Sequence, residues 1–185
     1  TGTTALQAGI AVMRTMYRKH NEPGLADQHY EILTTPLTFM ATTNAILLND
    51  CYPVFTPIDS QGLMDINQLA KIINERYTNV HNRGCNHLYN KKSGRLLLGC
   101  LPVHYTGQLV NMNHLLELAS NYQIYVLDDG AHSLGITRTP HKLHPYHIGT
   151  AYSTHPAKVI TTGEGGCVAT NNYTVTKLLQ QYRNN

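Results

Sequence analysis

Apolar positions recur at helical spacing between Thr3 and Lys19, where Leu6, Ile10, Met13 and Tyr17 share one face and Ala5, Val12 and Met16 lie alongside. That spacing predicts an amphipathic helix with Thr3 or Thr4 as its N-cap. Asn21-Glu22-Pro23-Gly24 predicts a turn. Glu31 to Thr34 reads as a short strand stopped by Pro36, Thr38 to Asn49 as a helix, and Tyr52 to Thr56 as a strand. Asp65 is placed to cap a helix running to Arg76. Residues 79–94, rich in Asn, His, Lys and Gly, read as a loop. Leu96-Leu97-Leu98-Gly99-Cys100-Leu101 is an unbroken apolar run, the pattern of a strand covered on both faces. A helix over Asn111 to Asn121 and a strand over Ile124 to Leu127 follow. Strands at Ile148–Tyr152 and Cys167–Thr170 and a helix from Asn172 to Tyr182 complete the pattern.

Strands that alternate with helices predict an α/β fold with a mostly parallel central sheet flanked by helices. In such sheets ligands bind beyond the carboxyl ends of the strands. Residues immediately after the predicted strands are therefore the first to be searched for chemistry.

Composition narrows the function class. The 185 residues suffice for one domain, and a chain 42% hydrophobic with a net charge of only +3 is not disordered. No apolar run is long enough to cross a membrane. The basic residues are scattered, which excludes a nucleic-acid footprint. Four cysteines form no CxxC pair, so a zinc ribbon is disfavoured. Cys100 and Cys167 sit in apolar runs and read as buried thiols of a reducing, cytoplasmic compartment. Thr1-Gly2-Thr3-Thr4-Ala5 carries no signal-peptide pattern. The 11 histidines raise the question of metal, but His141, His144 and His147 are irregularly spaced in a loop-like segment. They read as solvent-facing, and no metal site is expected.

Four segments carry candidate chemistry. Gly2-Thr3-Thr4-Ala5 opens a helix, where free N–H groups and the helix dipole attract an anion, although a plain N-cap is commoner. Asp128 and Asp129 end an apolar strand, where a carboxylate can hold a protonated ring nitrogen, bind a metal, or simply be solvated. Lys158, in Ser153-Thr154-His155-Pro156-Ala157-Lys158, can form a Schiff base if its surroundings favour the neutral amine; a surface lysine is the plain alternative. Thr161-Thr162-Gly163-Glu164-Gly165-Gly166 is a Gly-rich turn that permits close backbone approach.

In this order the four segments resemble the fold-type I, pyridoxal 5′-phosphate-dependent sugar-nucleotide aminotransferases of the DegT–StrS family. Further marks are Pro36-Leu37-Thr38-Phe39-Met40-Ala41-Thr42-Thr43-Asn44, Pro102-Val103-His104-Tyr105-Thr106-Gly107-Gln108 and Asp129-Gly130-Ala131-His132-Ser133-Leu134-Gly135. The stretch from His155 to Gly166 looks most like the branch acting on 4-keto-6-deoxy sugar nucleotides, as in pseudaminic acid synthesis.

The resemblance implies a role for each residue. Lys158 would form the internal aldimine and shuttle the proton, and Asp129 would pair with the pyridine nitrogen. Asp128 stands where the family often has Glu. Phe39 would stack on the ring, and His132 would sit near the phenolic oxygen. Gly2, Thr3, the Thr4 backbone and Ser153 would hold the phosphate. An amino acid donor, glutamate in the family, would load the cofactor, and a keto sugar nucleotide would accept the amino group. A homodimer is implied, because sites of relatives lie at dimer interfaces.

Two departures stand out. Thr154 replaces the aromatic that relatives usually carry. Family members are also longer, so residues 1–185 are expected to be the cofactor-binding large domain without the family's N-terminal segment and C-terminal small domain. The alternative is a minimal or truncated pyridoxal-phosphate-binding module with little independent turnover. A dehydratase of the same family would have His in place of Lys158, and a zinc protein is the remaining reading.

Overall fold

The computed structural model describes residues 1–21, 29–82, 85–136 and 144–184. The turn expected at Asn21–Gly24 and the side chain of His141 lie outside the described residues.

Helix α1 (Gly2–Asn21) leads into strand β1 (Tyr30–Thr34), helix α2 (Met40–Leu47), strand β2 (Cys51–Phe55) and helix α3 (Ile66–Arg76). Strands β3 (Tyr77–Asn82), β4 (Cys85–Asn90) and β5 (Leu96–Leu101) follow, then a 3₁₀ turn at Tyr105–Gly107 and helix α4 (Met112–Tyr122). Strands β6 (Tyr125–Asp129), β7 (His147–Ser153) and β8 (Gly166–Ala169) precede helix α5 (Tyr173–Asn184). The sheet runs β2-β1-β5-β6-β7-β8. The first five strands of that order are parallel, and β8 pairs antiparallel with β7.

Alternation along the central strands divides the core in two. Ile32, Leu98, Tyr125 and Leu127 face α1, α2 and α5, packing on Leu6, Ile10, Met13 and Tyr17, the face expected from the helical spacing. Leu33, Leu97 and Val126 face α3 and α4, packing on Leu69, Ile73, Leu115 and Ala119. The apolar run of β5 is buried from end to end because both faces are covered.

The helix starts are set by side-chain caps. Asp65 accepts the Gln68 N–H at 3.0 Å and opens α3 as expected. The cap of α1 is Thr1, whose Oγ1 accepts the Thr4 N–H at 3.2 Å. This corrects the expectation of Thr3 or Thr4, because the first helical residue is already Gly2.

Residues 79–94 are not a loop. Most of the described ones belong to the antiparallel hairpin of β3 and β4, and β4 joins β5 at Tyr89 and Leu96. The polar composition hid it, since only His87 and Leu88 of β4 are buried. Glu31 anchors the hairpin, accepting from Tyr77 Oη, Asn90 Nδ2 and Ser93 Oγ at 2.6–2.9 Å. The cysteines are all free, and Cys100 is buried as expected. Cys167 is exposed, a correction: β8 is a short edge strand whose Val168 turns to the core while Cys167 turns out.

Candidate functional site

The carboxyl ends of β6 and β7 and the amino ends of α1 and α2 meet at one place. The alternation of β6 decides which carboxylate points there. Leu127 and Asp129 take the α1/α2 face, while Val126 and Asp128 take the α3/α4 face.

Asp129 is nearly buried, at 6% exposure. Its Oδ2 accepts from Thr42 Oγ1 of α2 at 2.7 Å, and its Oδ1 accepts the Ala131 N–H at 3.0 Å. Its backbone is also fixed: the Asp129 N–H donates to Pro102 O at 2.9 Å, and the His104 N–H donates to Asp129 O at 3.0 Å. The carboxylate is thereby aimed while lone pairs remain for a further donor.

The loop after β6 brings His132 to the loop after β7, where Lys158 Nζ lies 2.8 Å from His132 Nε2. Burial, then the charge of Lys158, lower the His132 pKa, opposed by Asp129. The imidazole is therefore neutral near pH 7, and its Nε2 accepts from the lysine. A neutral acceptor holds the amine in a defined direction without forming an ion pair.

The start of α1 abuts Ser153 at the end of β7: a Cβ built on Gly2 would lie 2.7 Å from Ser153 Cβ. Glycine is needed for that approach. Thr1 takes the N–H groups of Thr4 and Ala5 through Oγ1 and O. Those of Gly2 and Thr3 have no intrahelical acceptor, as the start of a helix dictates. No acidic residue occupies this first turn. The helix end, the Ser153 hydroxyl and the absence of carboxylates suit a phosphate group. Phe39 stands at the N-cap position of α2 with 78% of its surface exposed, leaving a ring face open.

Asp128 serves the opposite face. It is fully buried and accepts from His147 Nε2 at 2.7 Å, Thr150 Oγ1 at 2.7 Å and His104 Nε2 at 3.0 Å. Burial pushes its pKa up, but the hydrogen bonds donated by His104 and His147 outweigh this and hold it well below the usual carboxylate range. His104 Nδ1 accepts the Val110 N–H at 3.2 Å, so its ring proton sits on Nε2. His147 is thus a partner of Asp128 rather than solvent-facing, and His144 lies 3.3 Å from Ser120 Oγ. His147 corrects the loop expectation, because β7 begins there, while His144 lies in the turn before it and is half-buried. Among the described residues no group of His, Cys, Asp and Glu is arranged to hold a metal.

The lysine loop is closed at its base. Thr154 Oγ1 lies 2.7 Å from Thr162 Oγ1, and the Thr162 N–H donates to Thr154 O at 3.0 Å. A Cβ on Gly165 would collide with both hydroxyls. The residue that departs from the family pattern is thus half of a hydroxyl clasp around Lys158.

The structure brings Gly2, Ser153, Asp129, His132 and Lys158 to one end of the sheet. Sequence reasoning missed Thr42 as a partner of Asp129. The signal available was the four-residue spacing of two hydroxyls, Thr38 in the bend before α2 and Thr42 in its first turn. A second cleft lies by the starts of α3 and α4, lined by Asp59, Asp65, Asn111 and His114 among others. Its Asp59, Asp65 and Asn111 are already engaged by backbone N–H groups of their own turns.

Comparison with known proteins accords with this geometry. The profile of the DegT/DnrJ/EryC1/StrS aminotransferase family matches residues 1–185. The chain is 30% identical over 176 residues to a UDP-4-amino-4,6-dideoxy-N-acetyl-beta-L-altrosamine transaminase of Helicobacter pylori, covering 95% of this chain and 41% of that one. The solved Helicobacter pylori PseC, an aminotransferase involved in the biosynthesis of pseudoaminic acid, superposes with a TM-score of 0.67 at 28% identity, covering 95% of this chain and 41% of the other. A DegT DnrJ EryC1 StrS aminotransferase from Brucella abortus superposes with a TM-score of 0.74 at 24% identity, covering 98% and 43%. The chain spans less than half the length of these relatives.

Proposed function

Because the chain belongs to the DegT/DnrJ/EryC1/StrS aminotransferase family, we propose that it binds pyridoxal 5′-phosphate and takes part in transamination of a keto sugar nucleotide. Residues 1–185 form the cofactor-binding large domain in this reading. One observation carries it: Lys158 Nζ rests 2.8 Å from His132 Nε2, and Asp129 lies on the same face at the adjoining strand end.

When bound, the cofactor supplies a protonated ring that draws electrons from the carbon bearing the amine. Asp129, held by Thr42 and Ala131, keeps its charge toward the ring nitrogen. Lys158 would hold the cofactor and, once released, would take and return the proton. His132 accepts a hydrogen bond from that lysine and would stand near the phenolic oxygen of the bound cofactor. Phe39 covers one ring face, and Gly2, Thr3, Thr4 and Ser153 hold the phosphate. The name of the Helicobacter pylori relative favours a UDP-linked amino sugar product, and glutamate is the donor that the family resemblance implies.

Exposed apolar side chains on and beside α2, namely Phe39, Met40, Leu47 and Leu48, support a homodimer that covers them. Four free cysteines support a reducing, cytoplasmic setting, and no described helix is long and apolar enough to cross a membrane. The openness of Phe39 favours a second reading, a cofactor-binding module with little turnover of its own. Addition of glutamate to the cofactor-saturated chain separates the two. A change in visible absorbance is expected for the enzyme, and an unchanged spectrum would reject it in favour of the module.

A further inference from the structure

Thr42 makes two bonds that join residues from separate parts of the site. Its N–H donates to the carbonyl of Phe39 at 3.2 Å, and its hydroxyl donates to Asp129 Oδ2 at 2.7 Å. A hydroxyl has one proton to give. That proton goes to the carboxylate, so the 2.6 Å contact between Thr38 Oγ1 and Thr42 Oγ1 has Thr38 as donor. The result is a directed chain from Thr38 through Thr42 to Asp129, wrapped around Phe39 at the head of α2. Thr42 is fully buried, so no water substitutes easily for its hydroxyl.

We propose that Thr42 is a positioning residue that fixes the plane of the Asp129 carboxylate against the head of α2. The proposal rests on the reading that Asp129 contacts the nitrogen of pyridoxal phosphate. The Ala131 N–H holds the other carboxylate oxygen, and Thr42 and Ala131 together prevent the carboxylate from turning about its Cβ–Cγ bond. The backbone bond from Thr42 to Phe39 O ties the same residue into the first turn of α2, which has no side-chain cap of its own.

The test compares Thr42→Val, which is nearly isosteric, with Thr42→Ser, which keeps the hydroxyl, in the 185-residue chain. Three readouts are taken: pyridoxal phosphate affinity by visible titration, visible circular dichroism of the bound cofactor, and amide hydrogen exchange of α2 in the cofactor-free chain. Thr42→Val is expected to raise the Kd roughly tenfold, the loss of one hydrogen bond to a charged group. It should also diminish the dichroism and speed exchange at the start of α2. Thr42→Ser should restore all three. Equal damage from both variants, or none from Thr42→Val, overturns the proposal. A wild-type chain that binds no pyridoxal phosphate overturns the functional reading and the role with it, while exchange still reports whether the bridge exists.

Discussion

Asp128 and Asp129 are consecutive in β6 yet belong to different machinery. Asp129 reaches Thr42 and the face shared with Lys158, while Asp128 is enclosed by His104, His147 and Thr150 on the other face. Two-residue periodicity makes the choice, and a slip of one residue would exchange them.

The two carboxylates should therefore fail differently when removed. Asp129→Ala should leave the fold intact, retain some cofactor and lose most of the half-reaction with glutamate. Asp128→Ala leaves the donors of His104, His147 and Thr150 facing an apolar gap and should cost about 3–5 kcal/mol of stability. Chemical denaturation and cofactor spectroscopy on both variants check this. The reverse order of damage would show that the site uses the other face.

Acid should act through the same buried carboxylate. The folded pKa of Asp128 lies well below its ordinary value, so the unfolded chain takes up its proton first as pH falls. Its contribution is complete above the ordinary carboxylate range, near pH 4, and is lost as pH drops from there toward the folded pKa. Urea midpoints measured from pH 6 downward should fall through that range, and Asp128→Asn should flatten the fall. An Asp128→Asn protein with the same acid slope as wild type would remove Asp128 from this account.

The clasp beneath Lys158 should govern the order of its loop. Thr162→Val removes the Thr154 partner and should hasten proteolysis between residues 155 and 161, whereas Thr162→Ser should not. Gly165→Ala should be worse than either, because its Cβ has no space between the two hydroxyls. Equal protease resistance across the three variants would mean that the loop is held from elsewhere.

Much of this was readable from the chain. The helical stripe of α1, the Asp65 cap and the apolar run of β5 report local rules, and tertiary packing agrees with them. The hairpin of β3 and β4 was not, because its polar residues form strands through pairing and through anchors such as Glu31 and Tyr77, which lie 46 positions apart. His147 looked like a loop histidine until β7 carried it to Asp128. Cys167 looked buried until its strand proved to be an edge. The gathering of Lys158, Asp129 and His132 at one end of the sheet was legible because motif order and strand ends coincide. Thr42 was not, since its importance lies in a contact with Asp129 across 87 positions.

The central claim is that Lys158 carries pyridoxal phosphate. Borohydride reduction of the cofactor-saturated chain, followed by peptide mapping, tests it most directly. The account predicts a phosphopyridoxyl label on Lys158, greatly reduced in Asp129→Ala. A label on a different lysine, or none on saturated protein, would contradict it.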